Sequence, residues 1–599
     1  MSGIKLSFKN RKGAVKMKRQ FKSYFIGMLA ICILTGFIGL KDACSKDCKD
    51  HVSAVAKEIM DMTYDLCDIA GYGVNSGIHP GPTGDAAAKY ILRKLHKAGL
   101  RKAKLEPILV NNPFPTNYSV TVTVQGQAPK SLECFPFQYT ATTPAAGITG
   151  ELAYVGDGSA SNFELVDVAG KIALIDEKMI RGYIDSAKTA TDTARNKGAI
   201  AVFRVSTIVE SPQMQKGGCR HSGGSPAPTC IYAIPVFYFG KSQGDYLRDL
   251  AVSGTPHTVN MVFEAPNNVL PAYNVVFELP GNGSMDEVIL VGTHYDSGMF
   301  TGAVDNNCSV AQMIKYAEYF ARQPKQYRDR DMIFAWNFGH DFDMNSGHYQ
   351  FAEAHKEQLK NAIVWDVDHI CGGTRWVFDE AQDKIVPTDE TAEWYIISNN
   401  YAFTRLAAFT MDKYKFVCTQ NRFGSAGSGP QWGMAPTTSP WVNVATIPIY
   451  YHSYLDTPDK ITLDQVERSY AANIEIMENI ARTPEGFFKY DNIDKTRENT
   501  PPEVRIALLS DTVRVGDLVM AWNDETFFYD DKSSYHYPGI PEWAGTKWDW
   551  GDGTANTIGG PTANHVYLTP GVYTMKMTFT DTEGASTTAT RQVEVLPMP

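Results

Sequence analysis

The sequence predicts an α/β protein whose mostly parallel sheet carries helices on both faces, with a second domain inserted and a small β-sandwich at the carboxyl end. Three observations lead there. Between about Ala265 and Tyr490, short β-branched runs alternate with stretches of helical periodicity, the order expected of a parallel sheet. Those runs end repeatedly in His or Asp, at the carboxyl ends of strands where open α/β sheets place their ligand sites. Beyond Pro502 the helical period disappears and alternating strands are separated by turn residues.

At 599 residues the chain is too long for one core, so several domains are expected. A hydrophobic content of 43% excludes a disordered chain, and a net charge of −10 with no basic run past the amino terminus argues against a nucleic-acid partner. At that terminus Lys5, Lys9, Arg11, Lys12, Lys16, Lys18, Arg19 and Lys22 precede an apolar run from Tyr24 to Leu40. Residues 1–45 therefore read as a secretory signal peptide or membrane anchor. Export is expected, to a periplasmic, cell-surface or secreted location, with Cys44 a candidate for lipid attachment. Export also permits disulfides. Cys219 and Cys230, bracketing GGCRHSGGSPAPTC, are the most plausible pair, whereas Cys308 is expected to line a pocket rather than form a bridge.

From His51 to Leu100 the pattern is helical, interrupted by the turn-rich Asn75–Asp85 and closed by Gly99; Tyr118–Val124 alternates as a strand. Residues 50–140 are assigned to the amino-terminal part of the main domain. Residues 141–264 form a different unit, with strand signals at Glu151–Val155, Lys171–Ile175, Gly198–Phe203 and Ile234–Tyr238 and a helix over Ile184–Lys197. DVAGKIALID followed by a helix and KGAIAVF resembles the protease-associated domain, which implies a unit that shapes an active site without supplying catalytic groups.

Residues 265–490 complete the main domain. Strands are expected at Asn274–Phe277, Val288–Val291, Met332–Trp336, Ala362–Trp365 and Ile447–Tyr451, and helices at Val310–Arg322 and Leu463–Ile480. His294 ends the second strand and Asp296 follows it, with Asp305 in the next loop; Gly339-His340-Asp341, Asp366 with Asp368, and His452 follow later strands. Imidazoles with several carboxylates suit zinc, and one carboxylate shared by two ions would hold them about 3.5–4 Å apart. Residues 491–502, ending in Pro501-Pro502, read as a linker, and 503–599 as an immunoglobulin-like β-sandwich. There, WDWGDGT (Trp548–Thr554) followed by HVYLTPGVYTMKMTFTD resembles the PKD domain, which implies a spacer or a contact to a surface or polymer.

THYDS, GAVDNN, VDHICG and YHSYLDTPDKI resemble, in order and spacing, the di-zinc aminopeptidase family that includes glutamate carboxypeptidases and glutaminyl cyclases. The resemblance implies two zinc ions per chain and a peptide substrate. One zinc would be held by His294, Asp305 and Asp368, the other by Asp305, Asp341 and His452. Asp296 would orient His294, and Asp456 would steady the loop of His452. One departure matters: the family carries two adjacent glutamates, general base then zinc ligand, where this chain has His340-Asp341. An imidazole with an ordinary pKa of about 6.5 can accept a proton, or bind metal itself. Asp343 is a second carboxylate near that position, and Ser428-Gly429-Pro430 is a further departure from the family. His348, His355 and His369 are assigned to structural or surface roles, and Trp432, Trp441, Tyr450 and Tyr451 to the pocket wall or the core. The expected activity is an exported zinc aminopeptidase with His340 as catalytic proton carrier. Alternatives are a metal-containing peptide-binding protein with weak or no turnover, and glutaminyl-cyclase-like acyl transfer.

Overall fold

A computed structural model describes residues 46–597 except 74, 178–183, 212–231, 267, 343–346, 393, 399–400, 417, 424–438, 489–502, 509–510, 528–545, 559–561 and 581–584. The expected amino-terminal signal, the Cys219–Cys230 pair, Asp343, Ser428-Gly429-Pro430, Trp432 and the 491–502 linker therefore lie outside the described residues. Among the described residues no helix is long and apolar enough to cross a membrane. The chain divides after Glu58 into a short first unit and a second unit, Ile59–Pro599.

In the second unit the central sheet has four parallel strands in the order Asp331–Asn337, Val288–His294, Ala362–Asp366, Trp441–Ala445. Each is an apolar run buried on both faces, as the inner strands of a covered sheet must be. The strands directly flanking this core join it antiparallel. Asn268–Leu279 pairs with Asp331–Asn337 and with Lys104–Asn112 on one side, and Trp394–Ser398 pairs with Trp441–Ala445 on the other. Beyond Trp394–Ser398 the pairing is parallel again, to Cys418–Phe423, so the sheet is mixed outside its centre.

One expected strand is corrected. Ile447–Tyr451 forms a turn, and the fourth central strand is Trp441–Ala445. Pro448 has no N–H to give a ladder, and its carbonyl instead accepts the Tyr451 amide at 3.0 Å. Trp441, at the entry of that strand, packs on the core away from the strand's carboxyl end.

Helices cover the sheet. Pro82–Lys97 starts with proline in its first turn, buries Ala87, Ala88, Ile91 and Leu95, and stops where Gly99 takes a φ of 90°. Cys308–Arg322 and Leu463–Arg482 pack apolar faces inward. Arg330, paired with Glu287, closes the end of the latter helix by donating to the carbonyls of Ile480, Ala481 and Thr483.

A separate sheet lies within residues 152–239, with Phe135–Pro136 added antiparallel at its edge. Leu152–Tyr154, Ile172–Glu177, Ala201–Ser206 and Val236–Phe239 are parallel neighbours, and Asn117–Val124 pairs with His257–Glu264 where the chain enters and leaves. Near the carboxyl end a five-stranded sheet buries Trp548, Trp550, Met575, Met577, Phe579, Val593 and Val595, the inward set of alternating strands. The Trp548–Thr554 run leaves the strand Thr546–Asp549 in a turn where Asp549 and Asp552 accept backbone amides, and Tyr567 donates to the Trp550 carbonyl at 2.8 Å.

Candidate metal centre

All four central strands deliver side chains to the same end of the sheet. His294 is the last residue of its strand and lies opposite Asn337 in register, so the Gly339–Asp341 turn begins beside it. The strand Ala362–Asp366 continues into Asp368 and His369, and Trp441–Ala445 leads through the 446–451 turn to His452. Asp305 comes from the distorted turn Ala303–Asn307, which is entered through Gly302 at a φ of 73°.

Asp305 is the centre. Its Oδ1 lies 3.2 Å from His294 Nε2 and 3.0 Å from His369 Nε2, and its Oδ2 lies 3.0 Å from His452 Nε2. His294 Nε2 and His369 Nε2 are also 3.2 and 3.3 Å from Asp368 Oδ1, while Asp341 Oδ1 is 3.8 Å from His452 Nε2. Two groups of donor atoms result, His294–Asp305–Asp368–His369 and Asp305–Asp341–His452, each with its atoms within 4.8 Å of one another. His294, His340 and Asp341 form a third such group. All five expected metal-site residues therefore meet, and His340 stands beside them with its ring 4.6 Å from that of His294.

The donor chemistry fits divalent cations. Asp305, Asp341 and Asp368 are each at most 1% exposed. Asp305 has no aligned hydrogen bond to either carboxylate oxygen among the described residues, although three imidazoles approach it. Burying carboxylates this way is costly unless cations compensate them. Burial opposes ionisation of Asp305, yet the imidazoles, His369 foremost, hold its carboxyl well below the usual range. Asp366 is buried beside the cluster but belongs to none of the donor groups; burial first and Asp368 second push its carboxyl well above the usual range.

Positioning comes from carboxylates behind the donors. Asp296 has a wider part than orienting His294. His294 Nδ1 is 3.1 Å from the Asp296 backbone carbonyl and 3.6 Å from its carboxylate. That carboxylate accepts three backbone amides, from Gly339 (2.8 Å), His340 (3.0 Å) and Asp341 (2.8 Å), and so fixes the turn that carries His340 and Asp341. Asp456 accepts the amides of Val304 (2.9 Å) and Asp305 (3.0 Å), so it holds the loop of Asp305. Burial pushes its carboxyl up to about 7. Asn306 donates to Asp368 Oδ1 at 2.7 Å and accepts the His369 amide at 3.1 Å, joining the two sides.

Two assignments change, those of His369 and Cys308. His369 is buried in the cluster rather than structural or at the surface. Its φ of 54° breaks the alternation that would send consecutive residues to opposite faces, so Asp368 and His369 both face Asp305. Only its place beside Asp368 hinted at this in the sequence. Cys308 forms a disulfide with Cys371 (Cα–Cα 6.0 Å), which ties the helix after Asp305 to the segment after His369. Tyr451 stacks on His452 at 3.7 Å and meets His369 edge-on at 5.1 Å, while Tyr450 is core. His355 pairs with Glu106 at 3.1 Å, away from the cluster.

A parallel α/β core with a buried His–Asp cluster at its carboxyl edge is a candidate metal site. The comparisons specify it further. Residues 274–477 match the family model of Peptidase family M28, and residues 534–595 match that of the PKD domain. The chain thus carries an M28 metallopeptidase domain followed by a PKD domain. Its fold is similar to that of a peptidase M28 precursor from Shewanella amazonensis, at 18% identity and a TM-score of 0.54 over 73% of this chain and 98% of that one. It is likewise similar to BSAP, a zinc aminopeptidase from Bacillus subtilis, at 17% identity and a TM-score of 0.53 over 72% of this chain and 95% of that one. No curated protein matches the chain.

Proposed function

We propose that the protein is an exported, zinc-dependent aminopeptidase that removes amino-terminal residues from peptides. The observation that carries this reading is Asp305, buried and presenting one oxygen to His294 and His369 and the other to His452. A carboxylate divided in this way suits two ions, with Asp368 and His294 completing one set and Asp341 and His452 the other. Zinc bound there supplies Lewis-acid polarisation of the scissile carbonyl and lowers the pKa of bound water to about 7.

The chain's own residues do the rest. Asp296 holds the 339–341 turn through three amides, which keeps His340 next to the cluster. His340 takes a proton from the attacking water and passes it to the leaving amine, the part a glutamate would otherwise play. Tyr451, against both His369 and His452, limits the space around the donors. BSAP, a zinc aminopeptidase, supports the choice of metal and reaction through its similar fold. The basic-then-apolar amino terminus and the Cys308–Cys371 bridge support export to an oxidising compartment. The PKD domain would serve as the contact to a surface or polymer.

The test is amino-acid release from a mixed peptide library by zinc-loaded protein, with and without chelator. Chelator-sensitive release of amino-terminal residues supports the reading. Release from carboxyl ends, or release that ignores the chelator, contradicts it.

A further inference from the structure

We infer that His369 is a fourth protein ligand of one ion, so that the His294–Asp305–Asp368–His369 group is a closed site and the exchangeable position lies at Asp305–Asp341–His452. This deepens the metallopeptidase reading above and rests on it.

The geometry carries the inference. Two imidazole nitrogens and two carboxylate oxygens form a ring of contacts: His294 Nε2 to Asp305 Oδ1 (3.2 Å) and to Asp368 Oδ1 (3.2 Å), and His369 Nε2 to the same two oxygens (3.0 and 3.3 Å). A tetrahedral ion with bonds of about 2.0 Å keeps its donor atoms about 3.3 Å apart, so all four contacts have the length of a tetrahedron's edges. Only the His294–Asp368 contact also has the alignment of a hydrogen bond, so the remaining edges are not explained by N–H donation among the described residues. All four residues are at most 1% exposed.

His369 is also held in place for this role. Its left-handed backbone is pinned by Asn306 Oδ1, which accepts its amide, and by Thr446, whose amide (2.9 Å) and hydroxyl (3.0 Å) both donate to its carbonyl. The Cys308–Cys371 bridge fixes the chain two residues further on. Four protein ligands close a structural zinc site, although its donors are usually sulfur and nitrogen, whereas three protein ligands and an open position mark catalytic ones. Asp305–Asp341–His452 is of the second kind, and His340 lies within reach of both Asp341 and His294.

The experiment uses the full chain, stripped of metal and titrated with zinc or cobalt(II). It reads bound metal per chain, affinity by chelator competition, and the cobalt absorption spectrum. The expected result is two ions, with the tighter cobalt giving the intense visible bands of a four-coordinate site. His369→Ala should weaken that ion by at least the ~10–100-fold that loss of an outer partner costs, and replace its spectrum with weak, higher-coordinate bands. His369→Cys should restore the affinity and add a thiolate-to-cobalt charge-transfer band. Two ions bound by His369→Ala with unchanged affinities and spectrum would overturn the ligand assignment alone, leaving His369 as an imidazolium between two carboxylates. No metal bound by the natural chain would overturn the metallopeptidase reading as well. Should both variants fail to fold, the natural chain still decides: weak, higher-coordinate bands for both cobalt ions would overturn the closed site.

Discussion

Removing the Cys308–Cys371 bridge should loosen the two segments that carry the metal ligands. The cysteines are 63 residues apart, and the loop they close contains the strands Asp331–Asn337 and Ala362–Asp366. The chain-entropy relation for a loop of that length gives about 4 kcal/mol at 25 °C. Cys308→Ala with Cys371→Ala also deletes two buried sulfur atoms, so chemically reduced natural protein, which keeps their volume, is the better measure of the cross-link. Because the chain has several domains, a global unfolding curve would mix transitions. Hydrogen exchange resolved by peptide, on metal-free protein, reads the local opening of 303–322 and 362–371 directly. We expect protection in both segments to fall by between about 2 and 4 kcal/mol on reduction, with strands of the 141–264 unit unchanged. Unchanged protection in both segments, or a non-reducing peptide map with Cys308 and Cys371 unlinked, would refute the reasoning.

Three further outcomes follow from the site. Asp296→Asn turns an amide donor toward one of the three N–H groups of the 339–341 turn, leaving a buried donor unpaired at about 1–3 kcal/mol; isothermal titration should show weaker zinc binding at the Asp341 side. His340→Ala should lower kcat by about 10²–10⁴ with KM little changed, as loss of a proton carrier does; unchanged turnover would remove His340 from the mechanism. Gly302→Ala puts a side chain at a φ of 73°, against the Asp305 carbonyl and Ser297. It should cost about 1–2 kcal/mol of stability and reduce metal affinity, read by thermal unfolding with and without zinc.

How much of this was legible in the sequence depends on what each feature needs. The central strands were legible because Val288–Val291 and Met332–Trp336 are apolar without interruption, which only a strand buried on both faces tolerates. His294, Asp341 and Asp368 stand just past apolar runs, but the set of five with Asp305 and His452 was picked out by the resemblance, in order and spacing, to the di-zinc aminopeptidase motifs. His369 could not be picked out, since its direction depends on one left-handed residue that no spacing reveals. Asp456 was given the neighbouring loop, because its real partners, the amides of Val304 and Asp305, are distant in sequence. Cys308 pairs across 63 residues, a distance at which spacing says nothing about pairing. The 446–451 turn was misread as a strand because its aromatic and β-branched residues outweighed Pro448.

The central claim is that this cluster holds the metal for peptide hydrolysis despite histidine standing where a glutamate is expected. The most direct measurement is amino-terminal release from defined peptides by zinc-loaded natural chain and by its Asp305→Ala variant. The account predicts chelator-sensitive release by the natural chain and none by the variant, which should also bind less zinc. Full zinc binding by the natural chain with no release from any peptide would contradict it, and would favour a binding role or different chemistry at the same metals.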